Sequence, residues 1–228
     1  MLLDDLRSFA DTALVAVAAL LPIVDPLGGA PIYLAMTTGL TPAERAHMAR
    51  QVAVNSFALL LASVLVGAYV LDFFGVSIPA VQVAGGFIVC AIAWSLLTSP
   101  STPAVSERSS AASAEALSQR AFYPITMPLT VGPGSISVAV TLGANPARGI
   151  RSLVNTAFAN VLGVLVVAVS IYLCYRYADR ILRKLGTTGT NVLIRLTAFI
   201  LFCIGVQITW NGLHALIEGV LRPAGLPS

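Results

Sequence analysis

Two segments carrying proline and glycine interrupt otherwise apolar sequence: Leu21-Pro22-Ile23-Val24-Asp25-Pro26-Leu27-Gly28-Gly29-Ala30-Pro31 and Met127-Pro128-Leu129-Thr130-Val131-Gly132-Pro133-Gly134-Ser135-Ile136-Ser137. Proline removes a backbone donor and glycine adopts conformations closed to other residues, so each segment is expected to unwind a helix and begin a new one, at about Ala30 and at about Ser135. The amides freed at a helix start carry partial positive charge. The chemistry on offer is recognition of a carboxylate by main-chain N–H groups. Gly28, Gly29, Gly132 and Gly134 would allow a compact ligand close to the backbone, and Thr130 and Ser135 would add hydroxyls. Asp25 is the acid placed to hold an ammonium group or a coupling cation, H+ or Na+. It is equally suited to cap the half-helix behind Pro26.

Other polar side chains within apolar sequence are weaker candidates. Asn55 and Asn155 open the similar stretches Asn55-Ser56-Phe57 and Asn155-Thr156-Ala157-Phe158 at matching places in the two halves, and would line the cavity or hold the unwound backbone. Arg195 either snorkels to the cytoplasmic face or turns inward toward Asp25 or a substrate carboxylate. Gln82 falls opposite it in an ungapped overlay that also sets Cys90 on Cys203, and Gln207 lies one turn before Asn211. Amides such as these, and Asn160, more often join neighbouring helices than touch a ligand, and Gly85-Gly86 is best explained as a close helix contact. His47 and His214 lie near span ends, far apart in sequence, and are expected as surface histidines. Cys90, Cys174 and Cys203 are expected as buried small hydrophobes, so neither a metal site nor a metal cofactor is implied. Trp94 suits an interfacial anchor. A nucleophile elbow, an HExxH pattern, a phosphate loop and a second intramembrane acid are all missing, which argues against an enzyme.

The elements that must position these residues are membrane spans. Of 228 residues, 57% are hydrophobic and 10% charged, and the mean hydropathy is +0.88, leaving too little polar surface for a water-soluble globule. Apolar stretches at about 12–36, 52–72, 79–98, 121–143, 153–175 and 192–216 predict six helices. They are too long and lack the alternation a transmembrane β-barrel needs. A Ser/Ala-rich connection over 99–120 divides the chain into a first three-helix repeat (1–98) and a second (121–228). Three spans per half force opposite senses of insertion. The expected fold is therefore all-α, two inverted repeats with the first and fourth helices broken at mid-membrane. Arg45, Arg50, Arg108, Arg120, Arg176, Arg180, Arg183 and Lys184 fall on one side, against Arg7, Arg148, Arg151 and Arg222 on the other. The first side is expected to be cytoplasmic and both termini periplasmic. The acidic N-terminus lacks a basic signal-peptide start. A net charge of +3 without a basic block excludes nucleic acid as a natural partner.

The chain resembles the MarC family of bacterial inner-membrane proteins, described as small neutral amino acid transporters and distantly similar to LysE-type exporters. The resemblance covers nearly the whole chain. It rests on Asp25-Pro26-Leu27-Gly28 with Pro31-Ile32-Tyr33-Leu34, Ser77-Ile78-Pro79 with Val83-Ala84-Gly85-Gly86, Met127 to Ile136, and Cys203-Ile204-Gly205-Val206-Gln207 with Asn211-Gly212. Many members similar to this one carry Asn at the position of Asp25, which argues against a universal proton-coupling role for that residue. The resemblance implies six spans in the inner membrane and transport of neutral amino acids such as glycine or alanine. The partners implied are that substrate and membrane lipid. A passive channel and a non-transporting scaffold are the rival classes.

Overall fold

A computed structural model describes residues 2–98, 119–144 and 150–221, and every regular element among them is helical. The order is α1 (Leu2–Val24), α2 (Pro26–Met36), α3 (Pro42–Phe73), α4 (Ile78–Thr98), α5 (Ala121–Thr130), α6 (Pro133–Gly143), α7 (Ile150–Arg176) and α8 (Ala178–Leu221). Five stretches among the described residues are long and apolar enough to cross a membrane: Arg7–Met36, Pro42–Phe73, Ile78–Thr98, Val154–Arg176 and Thr188–Leu221. The sixth apolar segment, expected as one span broken once, is more fragmented. Only Pro133–Gly143 within it is an ordinary α-helix, of 11 residues. The linker expected over 99–120 lies outside the described residues, apart from Gln119 and Arg120, which are helical. Arg108, Arg148 and Arg222 also lie outside them.

The fragmentation of α5 has a local cause in its two prolines. Tyr123 (φ −124°, ψ 126°) and Met127 (φ −121°, ψ 122°) are extended, and each precedes a proline. The proline ring clashes with a helical conformation at the residue before it. The turns between are widened to the π-helical type, closing with Val131 N–H donating to Thr126 O at 2.8 Å. Carbonyls in these widened turns also accept from hydroxyls: Thr126 Oγ1 donates to Ala121 O (2.7 Å) and Thr130 Oγ1 to Ile125 O (2.8 Å). Without water, freed backbone groups need such partners.

The new half-helices begin earlier than expected, at Pro26 and Pro133 rather than near Ala30 and Ser135. Proline is well placed at the first helical position, where its missing N–H would have had no acceptor. α3 opens on a capping box, with Thr41 Oγ1 accepting from Glu44 N–H and Glu44 Oε2 accepting from Thr41 N–H (2.8 Å).

Packing separates the helices into two bodies. One core joins α1, α2, α3, α5, α6 and α7 around Leu20, Tyr33, Val52, Leu60, Val167 and Tyr175. A second, smaller core of Val89, Ala93 and Leu201 belongs to α4 and α8, which form the most extensive helix pair. That pair is close because small residues face it: the Cα of Gly205 lies beside Cys90 and Gly86, that of Gly86 beside Thr209, and that of Gly212 beside Pro79 and Val83. Cys90 Sγ donates to Phe202 O at 3.7 Å. Contrary to expectation, Cys203 is exposed on the outer face of α8, while Cys90 and Cys174 are half-buried; all three are free thiols.

At one end of the bundle Tyr33 stacks on Tyr175, ring centroids 4.5 Å apart, and Tyr33 Oη donates to Arg45 O at 2.6 Å. These contacts bring together the end of α2, the start of α3 and the end of α7, so that Arg45, Arg50 and Arg176 share an end of the molecule with Arg180 and Arg183.

Candidate substrate-binding site

Asp25 stands between α1 and α2 in the left-handed region (φ 43°, ψ 63°). Aspartate tolerates this conformation because its short side chain can bond locally. Here Oδ1 accepts from Gly28 N–H at 3.0 Å, capping α2, while Gly29 N–H donates to Asp25 O at 2.9 Å. The carboxylate also meets the hydroxyl of Thr197 on α8. Gly28 is required by this crowding: a Cβ there would strike Asp25 and come within 2.7 Å of Thr197 Oγ1.

The second break is built differently. Gly132 is extended (φ −96°, ψ 177°) and α6 starts behind it with no side-chain cap. Ser135 Oγ donates to Gly132 O at 2.9 Å, leaving its oxygen lone pairs available. The amides of Gly134 and Ser135, in the first turn of α6, have no intrahelical acceptor. Thus α2 begins on a carboxylate of its own chain, whereas α6 begins on bare amides.

Both breaks border one cavity of about 320 Å³. Asp25, Gly28, Gly29, Thr130, Gly132, Gly134 and Ser135 all line it, which unites seven of the residues singled out from sequence. The remaining walls come from α1, α2, α4, α5 and α8. From the breaks the cavity runs past Ile32 and Met36 on α2, Pro124 on α5, Leu96 on α4 and Ile194 on α8, toward the Arg-rich end. On the opposite side the helices are sealed. Ser137 Oγ donates to Val81 O (3.2 Å), Gln82 Nε2 donates to Thr141 Oγ1 (3.2 Å), and Gly143 packs against the backbone of Val64.

Several expected residues lie elsewhere. Asn55 and Asn155 are half-buried on α3 and α7 and do not line the cavity, because these helices stand behind α6 and α1 rather than at the breaks. Asn160 Nδ2 instead donates to Leu142 O (3.4 Å). Arg195 is exposed on α8, while its neighbours Ile194 and Thr197 face the cavity. Gln82 ties α4 to α6, and Gln207 donates to Asn211 Oδ1 on the exterior of α8 (2.9 Å).

Tyr175 belongs to the surroundings of the site without any sequence signal: it is fully buried, its hydroxyl shares a hydrogen bond with Thr130 Oγ1 at 2.9 Å, and that hydroxyl abuts Gly29. Thr197, which also faces the cavity and Asp25, carries no sequence signal beyond its place in the overlay of the two halves. Tyr33 stood within a quoted motif, yet nothing in a linear sequence pairs it with a residue 142 positions later.

A family model described as MarC family integral membrane protein matches residues 11–217. The chain is 30% identical over 205 residues to the inner membrane protein MarC of Salmonella paratyphi B and of Salmonella typhimurium, covering 87% of this chain and 92% of each relative. It is 31% identical over 206 residues to inner membrane protein MarC of Escherichia coli, with the same coverage. No solved structure matches it. With its apolar helices and its two breaks lying inside the matched region, the chain belongs to the MarC family of integral membrane proteins.

Proposed function

We propose that this protein is a secondary transporter of small neutral amino acids in the bacterial inner membrane, with the cavity between the broken helices as its substrate site. One observation carries the proposal: two helix breaks more than a hundred residues apart border the same cavity, one presenting a carboxylate and the other uncapped amides. A zwitterion has the complementary pair of charges. Its carboxylate would lie on Gly134 N–H and Ser135 N–H, and its ammonium on Asp25, with Thr130 at the side.

The pattern of packing supports two inverted halves. Exchanging α1–α4 with α5–α8 maps the α2/α8 contact onto α6/α4, α2/α7 onto α6/α3, and α1/α7 onto α5/α3, each of which is present. Such halves support alternating access. The α4/α6 side is sealed by Ser137 and Gln82, whereas the corresponding α2/α8 side holds the cavity. This is the asymmetry expected of a state open toward the Arg-rich, cytoplasmic face.

The test is counterflow of labelled alanine and glycine in proteoliposomes. An exchange overshoot supports a carrier, and flux without overshoot supports a passive channel. Gly134→Leu, which drives a side chain into Val89 and over the bare amides, should abolish both binding and exchange. If it and Asp25→Ala leave uptake unchanged in folded protein, the site is misassigned.

A further inference from the structure

The far wall of the cavity is a continuous aliphatic surface. On α4, Val89, Ile92 and Leu96 recur at i, i+3 and i+7, so they form one stripe of that helix; on α8, Ile194 and Leu201 flank Thr197 at the same spacing. Val89 and Leu201 are almost fully buried and belong to the small core between the two helices, so this surface is fixed in place. Val89 also packs directly on Gly134. A carboxylate seated on the start of α6 therefore has its α-carbon substituent beside Val89. The one hydroxyl in this wall, Thr197 Oγ1, donates back to Leu193 O (2.8 Å) and lies against Asp25 on the ammonium side. The cavity volume, about 320 Å³, lies within the range of small-molecule sites and leaves room for a side chain beyond that of glycine.

We propose that the Val89–Ile92–Leu96 stripe of α4, with Ile194 and Leu201 of α8, is a side-chain subsite that selects α-amino acids with aliphatic side chains of the valine class over glycine and over hydroxyl-bearing isosteres. This rests on the amino-acid reading of the site and narrows it. An aliphatic side chain against this wall leaves water for a fitted apolar surface, which strengthens binding about fourfold per methylene buried. A hydroxyl against the Val89–Ile92–Leu96 stripe gives up its water partners, and these aliphatic side chains return no hydrogen bond. That penalty corresponds to at least about fivefold in affinity.

Two isosteric pairs separate shape from polarity: valine against threonine, and α-aminobutyrate against serine. Dissociation constants for these four, with glycine and alanine, come from the concentration dependence of thermal stabilisation of the full-length protein in detergent. Affinity should rise from glycine through alanine to valine, with valine at least about fivefold tighter than threonine. In Val89→Thr, which keeps the side-chain shape, and in the half-exposed Ile92→Thr, the valine-to-threonine ratio should fall toward one. Glycine binding as tightly as valine, threonine matching valine, or a ratio unmoved in both variants would overturn the subsite while leaving amino-acid binding intact. Failure of all six amino acids to stabilise the protein would overturn the amino-acid reading and the subsite with it.

Discussion

At Asp25 the capping role and the charge can be separated by substitution. Asn keeps an acceptor for Gly28 N–H and tolerates the left-handed backbone, so Asp25→Asn is expected to melt close to the parent protein. Asp25→Ala loses the cap and should cost about 1 kcal/mol. If the carboxylate holds the ammonium group, both variants lose amino-acid affinity about tenfold or more, since hydrogen bonds to charged groups are worth more than neutral ones. Equal affinity in Asp25→Asn would move the ammonium elsewhere. A second residue-scale test concerns Gly29, whose added Cβ would lie 2.6 Å from Tyr175 Oη and 3.4 Å from its ring. Tyr175 is held by stacking on Tyr33 and by its bond to Thr130, and cannot yield. Gly29→Ala should therefore destabilise by about 1–3 kcal/mol. Adding Tyr175→Phe removes the hydroxyl that collides, so the double variant should melt higher than the sum of the two single effects predicts.

Among the elements, the α4/α8 pair depends on glycines at the points where backbones touch. In Gly86→Ala the new methyl would meet Gly205 O and Thr209 N, each at 2.7 Å, and backbone atoms cannot rotate away. Gly219, by contrast, has nothing within 4 Å of the same position. Gly86→Ala should lower the melting temperature in detergent, while Gly219→Ala should raise it slightly, by roughly 0.5–1 kcal/mol of helix propensity. A comparable fall in both would mean that α4 and α8 do not pack through this contact. The breaks themselves were legible in the sequence because proline and glycine act locally: the residue before a proline leaves the helix, and a proline at a helix start costs nothing. The place of the half-helix starts was misjudged by a few residues for the same reason, since Pro26 and Pro133 are first-turn residues and not breakers that must lie outside the helix.

For the molecule as a whole, the proposed carrier cycle requires that the sealed side of the cavity open. Cysteines replacing Gln82 and Thr141, in a protein lacking Cys90, Cys174 and Cys203, would stand where a hydrogen bond now joins α4 to α6. Oxidative crosslinking of that pair should abolish counterflow, and reduction should restore it. Full exchange with the crosslink in place would show that α4 and α6 never separate. In the same background, cysteine at Met36 should react with reagents from the Arg-rich side, and amino-acid substrates should slow the reaction, because Met36 borders the open part of the cavity.

By itself the sequence determined that the chain is a helical membrane protein with two matched breaks and that Asp25, Gly28, Gly29, Thr130, Gly132, Gly134 and Ser135 surround the freed backbone. Those properties follow from composition and from steric rules that reach no further than one turn. Which polar residues face the cavity was decided by tertiary packing. Asn55 and Asn155 sit on helices that stand behind the breaks, Arg195 points outward one residue from Ile194, and Thr197 and the aliphatic stripe of α4 face inward. A helix offers every one of its faces to some neighbour, and in a chain apolar on all sides only the crossing of α4 with α8, fixed by glycine contacts between distant residues, selects the face that meets the site.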